Sequence, residues 1–279
     1  MEQLRLGQKN KLKAAWKVDF GMYLEGGGYD GKILLPKRYV PEDLAVGDEI
    51  EVFLYLDNEE RLVATTLEPK AMVGDFAYLR VAWVNEYGAF LDWGLMKDLF
   101  CPFREQKKRM LQDHSYIVHV HIDEDSYRIM ASAKVERYLL PLPEDYQEWQ
   151  EVELLVWQKT DLGFKVIIDN AYAGLLYDSQ VFRPLHTGDK VKGYISHIRP
   201  DGKVDCALQK IGRQHTEDFS ARLLRYLETQ GGRCRLGDKS DAEEIKEQFG
   251  VSKRTYKQAI GDLYKKKLID ITENGIILL

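Results

Sequence analysis

Apolar and polar positions alternate with a period of two along most of the first two hundred or so residues, the spacing of strands that bury one face. Three stretches share more than the period: LKAAWKVDFGMYLE at 12–25, LRVAWVNEYGAFLD at 79–92 and LLVWQKTDLGFKVIID at 154–169 each carry a tryptophan into a glycine, Trp16 to Gly21, Trp83 to Gly88 and Trp157 to Gly163. A second matched block follows each of them: GDEIEVFLYLDNEERLVATT at 47–66, HSYIVHVHIDEDSYRIMASAK at 114–134 and GDKVKGYISHIRPDGKVDCALQK at 188–210. Chance likeness between short strands reproduces one block, not two in the same order at similar separation, so the pattern predicts three copies of one small β domain rather than a single large sandwich.

The period changes near Gln214. Thr216-Glu217-Asp218 offers an N-cap, Phe219, Leu223, Leu224 and Leu227 recur at helical spacing, and Gly231-Gly232 stops the run. Ser240 to Glu243 has the spacing of a capping box and Gly250 ends that helix, while Ser252 caps a third helix with Tyr256, Ile260, Leu263 and Tyr264 on one stripe. Ile269 to Thr272, turning at Asn274-Gly275 into Ile276 to Leu279, reads as a terminal hairpin. This order resembles a winged helix-turn-helix. With Glu68-Pro69, Arg137 before YLLPLPEDY, and Arg213 as punctuation, the division is 1–68, 69–137 and 138–213 for three β domains and 214–279 for the winged helix. The fold class is mainly β: three tandem barrels followed by a small α/β domain.

Composition narrows the class. The 279 residues are 44% hydrophobic and 30% charged, values of a globular chain, with no apolar run of spanning length and a polar N-terminus unlike a signal peptide, so a cytoplasmic protein without membrane contact is expected. Cys101, Cys206 and Cys234 stand apart without a CxxC pair, which suits a reducing compartment and buried thiols. The net charge of −5 is not that of a protein coated for duplex DNA. Basic residues are nevertheless clustered: Lys9, Lys11, Lys13 and Lys17; Arg104, Lys107, Lys108 and Arg109; and Lys253, Arg254, Lys257 and Lys265 to Lys267. A solvated face is the commoner meaning of such runs, but these sit near aromatic strands.

Phe20 and Tyr23 flank Gly21, and Tyr87 and Phe90 flank Gly88. A glycine bulge would put both rings of each pair on one face, making a platform on which bases of any sequence stack. The ordinary alternative is that one ring of each pair is core.

The run LRVAWVNEYGAFLDWG, then KDLFCPF, a long loop and HSYIVHVHIDEDSYRIMASAK resemble the S1 family of RNA-binding OB barrels. The resemblance implies an RNA surface made of an aromatic before the glycine, a second two residues after it, a histidine on the next strand, and an acid and a base around the final hairpin. Those positions fall on Phe20, Tyr23, Leu35, Asp57 and Arg61, then on Tyr87, Phe90, Cys101, Asp123 and Arg128, then on Leu162, Lys165, Tyr177, Arg199 and Lys203. No copy keeps the histidine, the third lacks both aromatics, and the second has one extra hairpin residue. Three S1-like repeats and a winged helix resemble the bacterial conserved virulence factor B family, which implies a non-catalytic regulator of gene expression. The implied RNA-binding residues are Phe20, Tyr23, Arg61, Tyr87, Phe90, Arg128, Tyr177 and Lys203, joined by Lys253, Arg254 and Lys257 of the basic helix.

Enzymatic patterns are weak. Gly26, Gly28 and Gly31 fit GxGxxG, but KILLP follows where a phosphate cradle needs a helix. His119, His121 and Asp123 share a strand face without a second ligand group, so the histidines read as exposed side chains opposite Val118, Val120 and Ile122. No cofactor or metal is expected. The leading partner is single-stranded RNA, pyrimidine-rich by preference, threading across the first two barrels to the basic helix. A DNA-binding transcription regulator acting through the winged helix, and a module docking on ribosome or polymerase, stay open as alternatives.

Overall fold

A computed structural model describes residues 3–29, 31–181, 183–209, 213–272 and 275–279, the side chains of 213–218 excepted. The chain forms two compact units, residues 1–139 and 140–279.

In the first unit, β1 (Lys9–Val18), β2 (Gly21–Glu25), β3 (Ile33–Pro36), β4 (Glu49–Leu56) and β5 (Leu62–Thr65) close into a barrel in the order β1-β2-β3-β5-β4. All contacts are antiparallel except β3 with β5. β6 (Phe76–Val84), β7 (Gly88–Asp92), β8 (Leu99–Pro102), β9 (Ser115–Ile122) and β10 (Ile129–Ser132) repeat that order. This is the five-stranded OB topology, in which closure removes free edges. Inward positions alternate as the sequence predicts: Leu12, Ala14, Met22 and Leu24 fill the first core, and Leu79, Val81, Ala89 and Leu91 the second.

The two barrels share buried surface. Phe53 and Tyr55 on β4, which face away from the first core, pack in the second core's cluster, with Phe53 edge-on to Trp93 at 5.7 Å. Lys97 donates from Nζ to the carbonyls of Leu56 (3.1 Å) and Asp57 (2.8 Å). Burial pulls its ammonium below the ordinary lysine range, with Asp57 opposing.

The second unit contains a third barrel, β11 (Glu151–Thr160), β12 (Gly163–Ile168), β13 (Tyr172–Tyr177), β14 (Lys190–Ile198) and β15 (Val204–Ala207). After it come α1 (Arg213–Thr229), β16 (Arg233–Cys234), α2 (Ala242–Phe249), α3 (Lys253–Lys265), β17 (Ile269–Thr272) and β18 (Gly275–Leu278), with sheet order β16-β18-β17. α1 ends as the paired glycines predict: Gly231 and Gly232 have φ of 71° and 79°, and Gly232 N donates to Leu227 O. α1 starts at Arg213, ahead of the expected cap, so Thr216 lies inside the helix and is not its N-cap. The Asn274 turn residue lies outside the described residues.

Two local expectations change. Asp241, not Ser240, caps α2 by accepting from Glu243 N at 2.8 Å, while Ser240 Oγ accepts from Gly237 N in the preceding loop. On α3 the buried stripe is Tyr256, Ala259, Ile260 and Leu263, and Tyr264 is 53% exposed. One residue of helix is 100°, enough to carry Tyr264 past the edge of the stripe. Ser252 does cap α3, accepting from Thr255 N at 3.1 Å.

Candidate nucleic-acid interface

A β-bulge sets the surface. β1 pairs with β2 up to Ala14, then slips one residue before Trp16; β6 slips between Val81 and Trp83, and β11 between Val156 and Gln158. Strict alternation from Leu12 and Ala14 would bury Trp16, but one extra residue turns it outward. Trp16 and Trp83 are accordingly 39% and 43% exposed. The bulge therefore lies before the tryptophan, not at the glycine. In the third copy Trp157 is itself the extra residue and Gln158 takes the outward place, so the third tryptophan is not equivalent to the first two.

The glycines have another reason. A Cβ on Gly21, Gly88 or Gly163 would lie 2.2, 2.4 or 2.2 Å from the carbonyl oxygen of Leu35, Cys101 or Leu176 on the neighbouring strand. Only a residue without a side chain lets those strands approach where the turn closes.

In the first barrel Trp16 and Tyr23 are cross-strand partners with ring centroids 5.1 Å apart, Phe20 stands edge-on to Tyr23 at 6.2 Å and is 56% exposed, and Lys32 Nζ lies 5.2 Å from the centre of Trp16. In the second, Trp83 stacks on Phe90 at 3.7 Å and 3°, and Phe100 leans on Phe90 at 4.9 Å. Tyr87 stands on the turn, 66% exposed, where Asn85 Oδ1 accepts from the backbone N–H of Tyr87 and Gly88. Tyr87 and Phe90 thus do not form a two-ring shelf: Phe90 supports Trp83, and the rings open to solvent are Trp83 and Tyr87. In the third barrel Leu162 is 63% exposed and Lys165 lies over Trp157 at 5.1 Å.

The positions matched to the missing histidine are interior. Leu35 and Cys101 are fully buried, paired with Met22 and Ala89, and burial pushes the Cys101 thiol up to about 12. Their third-copy equivalent is Leu176, also buried; Tyr177 pairs with Gly163 where Pro36 and Pro102 pair with Gly21 and Gly88, one position further on.

The final hairpins do correspond. The backbone N–H of Asp57, Asp123 and Arg199 donates to the carbonyl of Arg61, Arg128 and Lys203, so the extra residue in the second copy is absorbed within its turn. Arg61 donates twice to Asp57, from Nε and Nη2 at 2.9 and 2.7 Å. Burial raises the Asp57 carboxyl, but Arg61 and the surrounding N–H groups outweigh it and hold it below the ordinary range. Arg128 pairs with Glu60 of the first barrel, Lys203 with Asp201, and Arg199 with Asp205 and the Tyr177 hydroxyl. Arg61, Arg128 and Lys203 remain solvent-facing, and exposed pairs of this kind are worth only about 0–1 kcal/mol, so a phosphate can displace the acid.

The basic runs are partly neutralised: Lys9 pairs with Glu51 and Glu68, Lys11 with Glu49, and Arg104 with Asp123. On α3, Arg254, Lys257, Gln258 and Lys265 are exposed and Lys253 is half-buried at the capped end. His119 and His121 are not exposed side chains. His119 is 8% exposed and stacks on Tyr138 at 4.0 Å, and burial with His121 nearby lowers its pKa to about 4. Among the described residues no group of three His, Cys, Asp or Glu side chains is placed to hold a metal, and no helix is long and apolar enough to cross a membrane.

The residues that sequence reasoning missed are Trp16, Trp83, Lys32 and Phe100. Both tryptophans mark the repeat, but only the bulge, invisible as a residue type, turns them out.

Comparison with known proteins agrees with the S1-like and winged-helix reading of the chain. Residues 6–67 match the S1 domain model and residues 221–278 the CvfB-like winged helix domain model. The chain is 27% identical over 98% of its length to the uncharacterized protein YitL of Bacillus subtilis (strain 168), covering 93% of it. It is 26% identical over 85% of its length to conserved virulence factor B of Staphylococcus aureus (strain USA300), covering 81% of it. A solved structure from Streptococcus pneumoniae TIGR4, described as a multidomain protein with nucleic acid binding domains, aligns over 98% of both chains at 24% identity with a TM-score of 0.44. The chain carries domains of nucleic-acid-binding types in both units.

Proposed function

We propose, on the premise that this is a conserved virulence factor B-like protein with S1 and winged-helix domains, that it is a non-catalytic binder of single-stranded RNA acting in post-transcriptional regulation in the cytoplasm. The division into domains at 1–68, 69–137, 138–213 and 214–279 is part of this reading. The observation that carries it is the outward turn of Trp16 and Trp83 at matching bulges, each joined by an exposed turn aromatic, Phe20 or Tyr87. Rings left 39–66% exposed cost solubility, whereas stacked bases repay about 1–3 kcal/mol each regardless of sequence. Arg61, Arg128, Lys203 and the α3 residues Lys253, Arg254 and Lys257 supply phosphate contacts, and the third barrel, with Leu162 and Lys165 in place of the rings, contributes charge through Arg199 and Lys203 and the polar tip of Tyr177.

Fluorescent oligo(U) RNA tests this. Replacing Trp16, Phe20, Trp83 and Tyr87 together by Ala should weaken binding at least about tenfold; unchanged affinity overturns the stacking model. The basic exposed face of α3 favours a second reading, duplex DNA bound by the winged helix. Removing residues 214–279 abolishes all nucleic-acid binding on that reading and leaves most RNA binding on the first.

A further inference from the structure

The connection between β8 and β9 carries Arg104, Lys107, Lys108 and Arg109, a basic run that none of the RNA-contacting positions above uses. Such runs usually mean a solvated face, so the order within this one decides its meaning. The connection is held at both ends. Gln106 is 9% exposed; its Nε2 donates to Cys101 O at 2.9 Å and its Oε1 accepts from Met110 N at 2.9 Å. Arg104 pairs with Asp123 and Lys107 with Glu136. Lys108 and Arg109 are exposed and have no acid partner among the described residues. Arg109 is nevertheless placed: its guanidinium lies over the Phe103 ring, 3.2 Å from the centroid, a separation at which the two planes must lie face to face.

Phe103 fixes where this pair stands. Its backbone N–H donates to Tyr87 O at 3.2 Å, one hydrogen bond away from the exposed turn aromatic. The same bond joins Lys37 to Phe20 in the first barrel and Asp178 to Leu162 in the third. The copies thus share a scaffold and differ in what it carries. In the first, Arg38 lies 5.5 Å from the ring of Tyr39, which is buried, and donates to Met96 Sδ at 3.6 Å. In the third, Asp178 is taken by Lys159. The second copy alone sets a ring and an exposed guanidinium there.

A guanidinium lying on a ring has one face covered and the other open. The open face is planar, cationic and weakly hydrated, so an unpaired nucleobase can stack on it, which an ammonium does not allow. Lys108 beside it supplies a point charge suited to a phosphate. The Gln106 clamp and the Phe103 stack reduce the conformational freedom that binding would otherwise have to remove.

We propose that Phe103, Lys108 and Arg109 form a ledge that continues the RNA path past Tyr87, with Arg109 stacking one unpaired base and Lys108 contacting a phosphate. The proposal rests on the RNA-binding reading above and carries it off the ring surface of the barrel onto a loop.

The test uses the whole chain and a series of labelled oligo(U) strands from about four to about ten nucleotides, the shortest reaching no further than the rings. Arg109→Lys keeps the charge and removes the plane, whereas Lys108→Ala removes a charge and no plane. Arg109→Lys should weaken the longest strand about fivefold or more, with a penalty that vanishes as the strand shortens and with unchanged salt dependence. Lys108→Ala should flatten the plot of log affinity against log salt by about 0.7 for the longest strand. Wild-type affinity of Arg109→Lys for the longest strand overturns the stacked base, and an unchanged slope for Lys108→Ala overturns the phosphate contact. A penalty independent of strand length places the effect of Arg109 at the rings and overturns the ledge. A lower urea midpoint with unchanged affinity assigns Arg109 to packing on Phe103 and overturns it likewise. Each of these results leaves the binding of RNA by wild type intact. Failure of wild type to bind any of the strands at low salt overturns the RNA reading and the ledge with it.

Discussion

One added methyl group separates two kinds of glycine in this chain. At Gly88 a Cβ would meet the Cys101 carbonyl at 2.4 Å and the Pro102 Cα at 2.9 Å, both backbone atoms that move only with their strand. Gly88→Ala should therefore destabilise the second barrel by about 1–3 kcal/mol, read as a lower urea midpoint of tryptophan fluorescence. Gly261, inside α3, has nothing beyond its chain neighbours and its own helix backbone within 4 Å of its would-be Cβ, and a helical backbone, so Gly261→Ala should stabilise the winged helix by about 0.5–1 kcal/mol, read from helical circular dichroism. Repeat spacing reveals that Gly21, Gly88 and Gly163 matter but not why. A bulge at the glycine and a close carbonyl approach predict the same residue there, and only the register tells them apart. His119 illustrates the same limit: HxHxD on an alternating strand predicts exposure, but Tyr138 arrives from outside the repeat to cover it. With its pKa lowered to about 4 against an ordinary 6.5, folded His119 is neutral. The unfolded chain binds the extra proton first as pH falls, so the stabilisation is complete above pH 6.5 and is lost progressively as pH falls through about 4. Unfolding by urea at a series of pH values should show this slope, and His119→Phe should flatten it.

Elements with end signals were the most legible. Ser252 announces α3 and Gly250, in the left-handed region at φ 66°, closes α2, because capping groups must lie within one or two residues of the backbone they satisfy. Adjacent Ser240 and Asp241 could both cap, and the choice depends on the loop at Gly237, which local spacing does not encode. Ser252→Ala should cost about 1 kcal/mol of winged-helix stability by freeing the Thr255 N–H. The basic face of α3 makes a separable prediction. If Lys253, Arg254 and Lys257 each neutralise one phosphate of a single strand, replacing all three by Ala should flatten the plot of log affinity against log salt by about 2. Unchanged slope would confine RNA contact to the barrels. The ring surface was only half legible at this scale, since Phe20 and Tyr87 are marked by their glycines, whereas Trp16 and Trp83 reach the surface through an alanine-sized insertion in the strand.

At the scale of the whole chain, repeated blocks disclose three barrels because each copy must rebuild the same closed sheet, but they are silent on which barrels join. The clue lay in EVFLYL: β4 buries Val52, Phe53, Leu54 and Tyr55 in succession, as a strand covered on both faces must. Its outer face is the seam, and Lys97 is the polar fastening there. Lys97→Met keeps most of the side-chain volume but removes two part-buried hydrogen bonds, to the Leu56 carbonyl and to the Asp57 carbonyl, which still accepts from Glu60 N, a loss worth about 1–3 kcal/mol together. Removing a half-buried ammonium gives part of that back, since burial already disfavours the charge, so the net loss should fall at the low end of the range. If the seam couples the barrels, native-state hydrogen exchange should speed up in β4 and β5 and in β7 and β8 together, while residues 140–279 keep their protection. Faster exchange confined to one barrel would mean that the two fold independently and that the seam only holds them side by side.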